Sequence, residues 1–136
     1  MDTLKNVLQA LSLTRGEDAF VGQPHNLGWN RIYGGQLIAQ ALEAAALSCP
    51  ERFQAHSIHC HFLASGSVEA PLSYTVESLR DGRTYSSRRV EGVQNNELIF
   101  HALSSHQIPE GGLSYHNPMP DAPSPDELCS YTTILK

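Results

Sequence analysis

One segment governs what this chain can become: GGQLIAQALEAAALS, residues 34–48. From Leu37 to Ser48 the only polar residues are Gln40, Glu43 and Ser48, so a helix here is apolar over most of its circumference and belongs inside, enclosed by other structure. The enclosing material follows directly. Residues 53–63, 71–80, 83–94 and 97–107 are rich in Tyr, Thr, Val, Ile and Phe, and the last three runs are separated by Asp81-Gly82 and Asn95-Asn96. Both pairs tolerate the positive φ of two-residue hairpin turns, which predicts an antiparallel meander. Period-two alternation puts Leu72, Tyr74 and Val76 on one face of the first strand, and Leu98, Phe100 and Ala102 on one face of the third. A ten-residue strand spans about 34 Å, a 15-residue helix only about 22 Å, so a long curved sheet can wrap round a single shorter helix. The expected class is α+β.

The remaining segments fit round that pair. Leu4, Val7, Leu8 and Leu11 form one stripe at helical period, predicting a short first helix, capped by Asp2 or Thr3, that lies on something larger. Ala19-Phe20-Val21 reads as a first strand. From Pro109 onward the composition shifts: five of the eight prolines and the pair Gly111-Gly112 fall here, which is linker composition. The expected division is a domain over 1–108 and a proline-rich linker over 109–136.

Charge and cysteine content narrow the function. Nine Lys and Arg against 14 Asp and Glu give a net charge of −5, which argues against nucleic acid as a partner. Three cysteines without a CxxC spacing indicate neither a disulfide framework nor a zinc knuckle. No apolar run approaches the roughly 20 residues of a membrane span, so no membrane association is expected and a cytoplasmic location is the simplest expectation.

Several residue groups could carry chemistry. Gly34 and Gly35 open the buried helix, where free N–H groups backed by the helix dipole suit an oxyanion or a thioester carbonyl; alternatively the glycines only permit close packing. Gln36, Gln40 and Glu43 form a polar line along that helix, expected to face a wet seam or an interface, with a ligand tunnel as the alternative. HSIHCH, residues 56–61, looks like a metal cluster, but on a strand His59 and His61 share one face while His56 and Cys60 take the other, so no metal is expected. Arg80, Arg83, Arg88 and Arg89 surround one hairpin and either contact phosphates or protect a sheet edge. Arg88 and Arg89 must project to opposite faces.

The order helix, strand, glycine-led buried helix and antiparallel meander resembles the hotdog fold. YGGQLIAQAL (33–42), HSIHCHFLASG (56–66), YTVESLRDGRTYSSRRVEGVQNNELIF (74–100) and SSHQIPEGG (104–112) resemble the first half of the acyl-CoA thioesterase II family, and YHNPMPDAPSPDEL resembles its connector. That resemblance implies hydrolysis of acyl-CoA thioesters to CoA and a carboxylic acid, without a cofactor, in a subunit built of two hotdog domains. It implies an Asp, a Ser or Thr, and a Gln as water-activating residues carried by the second hotdog; the corresponding positions here fall near Gln36, Ala55 and Gln107, of which only the Gln keeps its type. It also points to His56 and Gln107 as catalytic candidates and to Gly34, Gly35, Gln36 and Arg88 as substrate-binding ones. The alternative is a non-catalytic acyl-CoA-binding or dimerisation module. Either way a homo-oligomer, or pairing with a second hotdog domain, is expected, because a lone half leaves a strand edge open.

Overall fold

The computed structural model describes residues 3–135; the Asp2 cap proposed for the first helix lies outside them. The elements are α1 (Thr3–Leu11), β1 (Leu13–Arg15), β2 (Phe20–Gly22), α2 (Gly34–Leu47), β3 (Gln54–Phe62), β4 (Leu72–Asp81), β5 (Tyr85–Gln94) and β6 (Glu97–Gln107). All six strands join one antiparallel sheet in the order β1-β2-β4-β5-β6-β3, with β3 at an open edge. After β6 the chain runs without regular structure and exposed to a 3-10 turn at Pro125–Glu127 and a short helix, α3 (Tyr131–Ile134).

Helix α2 lies across the sheet as its apolar pattern predicts. Leu37, Ala41, Ala44 and Ala45 are buried against Leu72, Tyr74, Val90, Phe100 and Ala102 of β4, β5 and β6. The far side is open at the helix end, where Ala46 and Leu47 are exposed. Helix α1 touches α2 but does not bury its stripe: Leu4, Val7 and Leu8 remain exposed.

Three bulges re-aim side chains that simple alternation misplaces. At Gly92/Val93 the partner strand gains Ile99 as an extra residue, so Ile99 is buried while Leu98 turns outward, contrary to its expected place beside Phe100. The Ile99 carbonyl, freed from the ladder, accepts from Leu63 N at 2.9 Å and Ala64 N at 3.3 Å and so terminates β3. A bulge in β4 at Leu79 and one in β3 at His56 sit one residue row apart and curl the opposite end of the sheet.

The two hairpin turns differ. Asn95 and Asn96 have φ of 51° and 63°, the two-residue turn their sequence indicates. Asp81-Gly82 is not such a turn. Asp81 stays in β4, held by Ser86 and Arg88, and the loop is the three residues 82–84, closed by Gly82 N to Tyr85 O at 2.8 Å.

Candidate active site

The start of α2 presents donors without acceptors. Tyr33 is the N-cap, extended at φ −66° and ψ 128°, and its side chain makes no capping bond. Its carbonyl takes Gln36 N at 2.9 Å and Leu37 N at 3.4 Å, which leaves the N–H groups of Gly34 and Gly35 with no acceptor among the described residues. Neither glycine has a positive φ; both are needed for space. A Cβ on Gly34 would sit 3.1 Å from the Phe62 ring, and one on Gly35 would run into the Tyr33 ring. Gly34 lines a cleft of about 280 Å³ together with Trp29, Arg31, Tyr33 and Phe62. Free N–H groups at the positive end of a helix, opening on a cleft, can stabilise a developing oxyanion.

Gln36 does not face that cleft with its polar atoms. Its Nε2 donates to Ala10 O at 2.9 Å and Gln23 O at 2.8 Å, and its Oε1 accepts His25 N at 3.0 Å. Gln40 repeats the motif one turn on, donating to Ala10 O at 2.8 Å and Gln23 O at 3.3 Å while accepting Tyr74 Oη–H at 2.9 Å. The polar line of α2 is therefore no wet seam. Two buried glutamines fasten the ends of α1 and β2 to α2, and only Glu43 reaches solvent. Burial raises the Tyr74 phenol well above its ordinary range, so it stays a donor.

His56 and Gln107 meet at the other end of β3. They line a depression of about 200 Å³ with Gln54, Ala55, Ile108, Pro109 and Glu110. The bulge turns His56 onto the face away from α2, contrary to the alternation that pairs it with Cys60. There its Nε2 lies 2.9 Å from Ser105 Oγ and its ring meets Tyr85 edge-on at 6.0 Å. His59 and His61 pack edge to face at 4.8 Å, and among the described residues no three groups are placed to hold a metal ion.

Arg88 is not a phosphate ligand. It is 1 % exposed, with Nε on Ser48 Oγ at 2.9 Å, Nη1 on Ser86 Oγ at 2.8 Å and Ser87 O at 3.0 Å, and Nη2 on Asp81 Oδ1 at 2.8 Å and Ser48 O at 3.2 Å. Ser48 is the C-cap of α2, so the guanidinium sits where helix carbonyls and the negative dipole end favour a cation. Bonds from Ser86 and Arg88 hold the Asp81 carboxyl down to about 2. Behind this cluster His106 is fully buried, with Nε2 3.0 Å from Ser104 Oγ and Nδ1 without a partner among the described residues. Its burial, then the Arg88 charge and His56, lower its basicity. Arg89 does project oppositely, pairing at the surface with Glu77 and, at 3.7 Å, Glu91.

The six sequence candidates thus fall into three places. Gly34 and Gly35 stand at the Phe62 end of β3, His56 and Gln107 at the Gln54 end, and Gln36 and Arg88 are internal ties. Phe62 lies six residue steps along β3 from His56, about 20 Å at the rise of a β-strand.

A long antiparallel sheet wrapped on one central helix, with donors at the helix start and one strand edge open, is a hotdog domain, and its candidate residues fall at two ends of that edge. Residues 23–107 match the family model described as the acyl-CoA thioesterase N-terminal domain, and the chain belongs to that family. It is 38% identical over 136 residues to acyl-CoA thioesterase 2 of Haemophilus influenzae, covering 99% of this chain and 48% of that protein. To human acyl-coenzyme A thioesterase 8 it is 38% identical over 120 residues, 88% of this chain and 38% of the relative. Among solved structures, the tesB protein of Mycobacterium avium subs paratuberculosis superimposes with a TM-score of 0.81 at 39% identity, over 92% of this chain and 50% of the other. An acyl-CoA thioesterase II from Mycobacterium marinum gives 0.77 at 34% identity, over 88% and 45%. The chain spans about half the length, or less, of the curated relatives it matches.

Proposed function

We propose that this chain is the first hotdog half of an acyl-CoA thioester hydrolase, working on a site completed by a second hotdog unit paired along β3. The observation that carries the reading is the pair of N–H groups at Gly34 and Gly35 that have no acceptor among the described residues, with Gly34 lining a cleft beside the free edge, in a chain of this family. Antiparallel pairing on that edge supports it further. It brings the Gln54 end of one unit against the Phe62 end of the other, so that the His56–Gln107 end of each faces a helix start.

In this scheme the Gly34 and Gly35 N–H groups receive the thioester oxygen as it becomes an oxyanion. Gln107 from the apposed unit orients a water toward the carbonyl carbon. His56 donates Nε2–H to Ser105 and keeps the Nδ1 lone pair for the proton that water loses; that proton then goes to the departing CoA thiolate, giving the thiol and the carboxylic acid. Residues 109–136 are read as the connector of the family, and no helix among the described residues is long and apolar enough to cross a membrane, which is compatible with cytoplasmic action.

A second reading, a non-catalytic acyl-CoA-binding or pairing module, is favoured by one feature. Where the family pattern implies an acid and a hydroxyl, this half carries Gln36, whose amide is fully engaged, and Ala55. Thiol release from decanoyl-CoA separates the two. Turnover that falls at least ten-fold in His56→Ala and Gln107→Ala, with unchanged circular dichroism, supports the hydrolase. Binding without turnover supports the module.

A further inference from the structure

The face of the sheet turned away from α2 carries a histidine cluster that the proposed hydrolysis does not use. Ile58 and Cys60 of β3 and Phe100 and Ala102 of β6 pack into the core, so the residues that alternate with them, His59, His61 and His101, stand on the outer face. His61 and His101 are direct partners across the β3–β6 ladder, and His59 is two residues from His61 on the same strand. Directly opposed residues have Cβ atoms about 4.5–5.5 Å apart, and alternate residues of one strand lie about 6.8 Å apart. The three imidazoles therefore rise from the corners of one small triangle.

We propose that His59, His61 and His101 form a site for a divalent transition-metal ion, with zinc the best fit. The donor set points to that class: imidazole nitrogen suits zinc, copper and nickel, and three histidines with the fourth position left to water complete a tetrahedral zinc. Cys60, between the two β3 histidines, packs toward the core, so the set is all nitrogen. The three rings have lone pairs to spare. Among the described residues the imidazoles that make hydrogen bonds are those of His56 and His106. Alternation within HSIHCH divides its ligands between two faces and so predicts no metal; pairing with β6 supplies the third nitrogen that the segment lacks.

The surroundings favour a cation. Glu91 of β5 is the ladder partner of His101 on its other side, and the one ion pair of its carboxylate among the described residues is a 3.7 Å contact with Arg89 Nε, while Arg89 Nη2 goes to Glu77. A carboxylate so placed can accept the outward ring N–H of His101, which fixes the ring and strengthens the ligand. As they stand the rings are not gathered on one point: His59 and His61 pack edge to face at 4.8 Å, and no three groups among the described residues are placed to hold an ion. His59 and His61 are exposed and His101 is half-buried, so closing on the ion takes side-chain rotation and leaves the backbone where it is. The ion then ties the edge strand β3 to β6. The site is independent of the thioesterase reading and lies on the opposite face of the sheet from α2.

Isothermal titration of the tag-free chain with zinc chloride is the direct test. The expected result is saturable binding of one ion per chain, weakened about ten-fold or more in each of His59→Ala, His61→Ala and His101→Gln with unchanged circular dichroism, since a lost ligand costs at least as much as a lost outer partner. The double variant His116→Ala, Cys129→Ser, in the exposed tail, should bind zinc as the parent chain does. Zinc should also raise the melting temperature of the parent chain and leave that of His61→Ala, an exposed substitution, where it was. Absence of saturable binding, unchanged affinity in any of the three histidine variants, or loss of binding in the tail variant would overturn the site.

Discussion

The two ends of α2 are both tied down by buried polar groups, yet by opposite chemistry. At the N-terminal end two neutral amides, Gln36 and Gln40, reach past the helix to the carbonyls of Ala10 in α1 and Gln23 just after β2, and the helix's own Gly34 and Gly35 N–H groups have no acceptor among the described residues. At the C-terminal end a charged group, Arg88, takes the carbonyl and hydroxyl of the C-cap Ser48 directly. The difference teaches where chemistry can occur. An end whose dipole is answered from within is structural, and an end held only from the side keeps its donors for a ligand.

The comparison breaks most visibly at Arg88. Arg88→Ala should lower stability by about 3 kcal/mol or more, since several charge-assisted bonds are lost and the Ser48 carbonyl is left without its donor; urea unfolding measures it. Gln40→Met should cost less, about 2 kcal/mol, because Tyr74 Oη alone loses its acceptor while Gln36 still holds the shared Ala10 and Gln23 carbonyls. A double-mutant cycle with Gln36→Met sharpens this: the pair should be non-additive by about 0.5–3 kcal/mol, and strict additivity would mean the two amides do not act as one clamp.

Acidity separates the two ends next. His106 is held below its ordinary value of 6.5, so the stability its neutral form contributes is present above pH 6.5 and declines as pH falls below it. Asp81 is lowered from 3.8 to about 2, so its contribution is present above pH 3.8 and is lost as pH falls toward 2. At the glutamine end Tyr74 is shifted upward by its burial and stays neutral throughout this range. Urea midpoints followed from pH 8 to 3 should fall in two stages, and His106→Leu should remove only the upper one. The smallest effect is expected next door. Arg89→Ala breaks half-exposed surface pairs and should cost under about 1 kcal/mol, in contrast to its neighbour.

Sequence periodicity carried the architecture because its signals are local. The run from Leu37 to Ala45, the alternation of Leu72, Tyr74 and Val76, and the Asn95-Asn96 turn each act within a few residues. The misplacements have non-local causes. No glycine or proline announces the bulge at His56; it arises from pairing with β6, and one extra residue reverses the face of everything before it. Leu98 was misassigned by the same effect at Ile99. An Arg-Arg pair tells that one arginine points inward but not which, and Arg88 is chosen because Ser48 lies beneath it, 40 residues away in sequence. Gln36 and Gln40 were legible as a polar line but not as a clamp, since the groups they hold are backbone carbonyls of Ala10 and Gln23, which leave no side-chain signature. The Gly34–Gly35 start was readable as a candidate, while its distance from His56 and Gln107 required the strand between them.

That distance makes the pairing of two units the decisive question. Decanoyl-CoA hydrolysis per chain, measured through a dilution series alongside light scattering and repeated with Ile58→Pro to block the β3 edge, answers it directly. The composite site requires turnover to follow the paired fraction and to vanish in a folded, unpaired Ile58→Pro chain. A lone unit that hydrolyses the thioester at the full rate would contradict it.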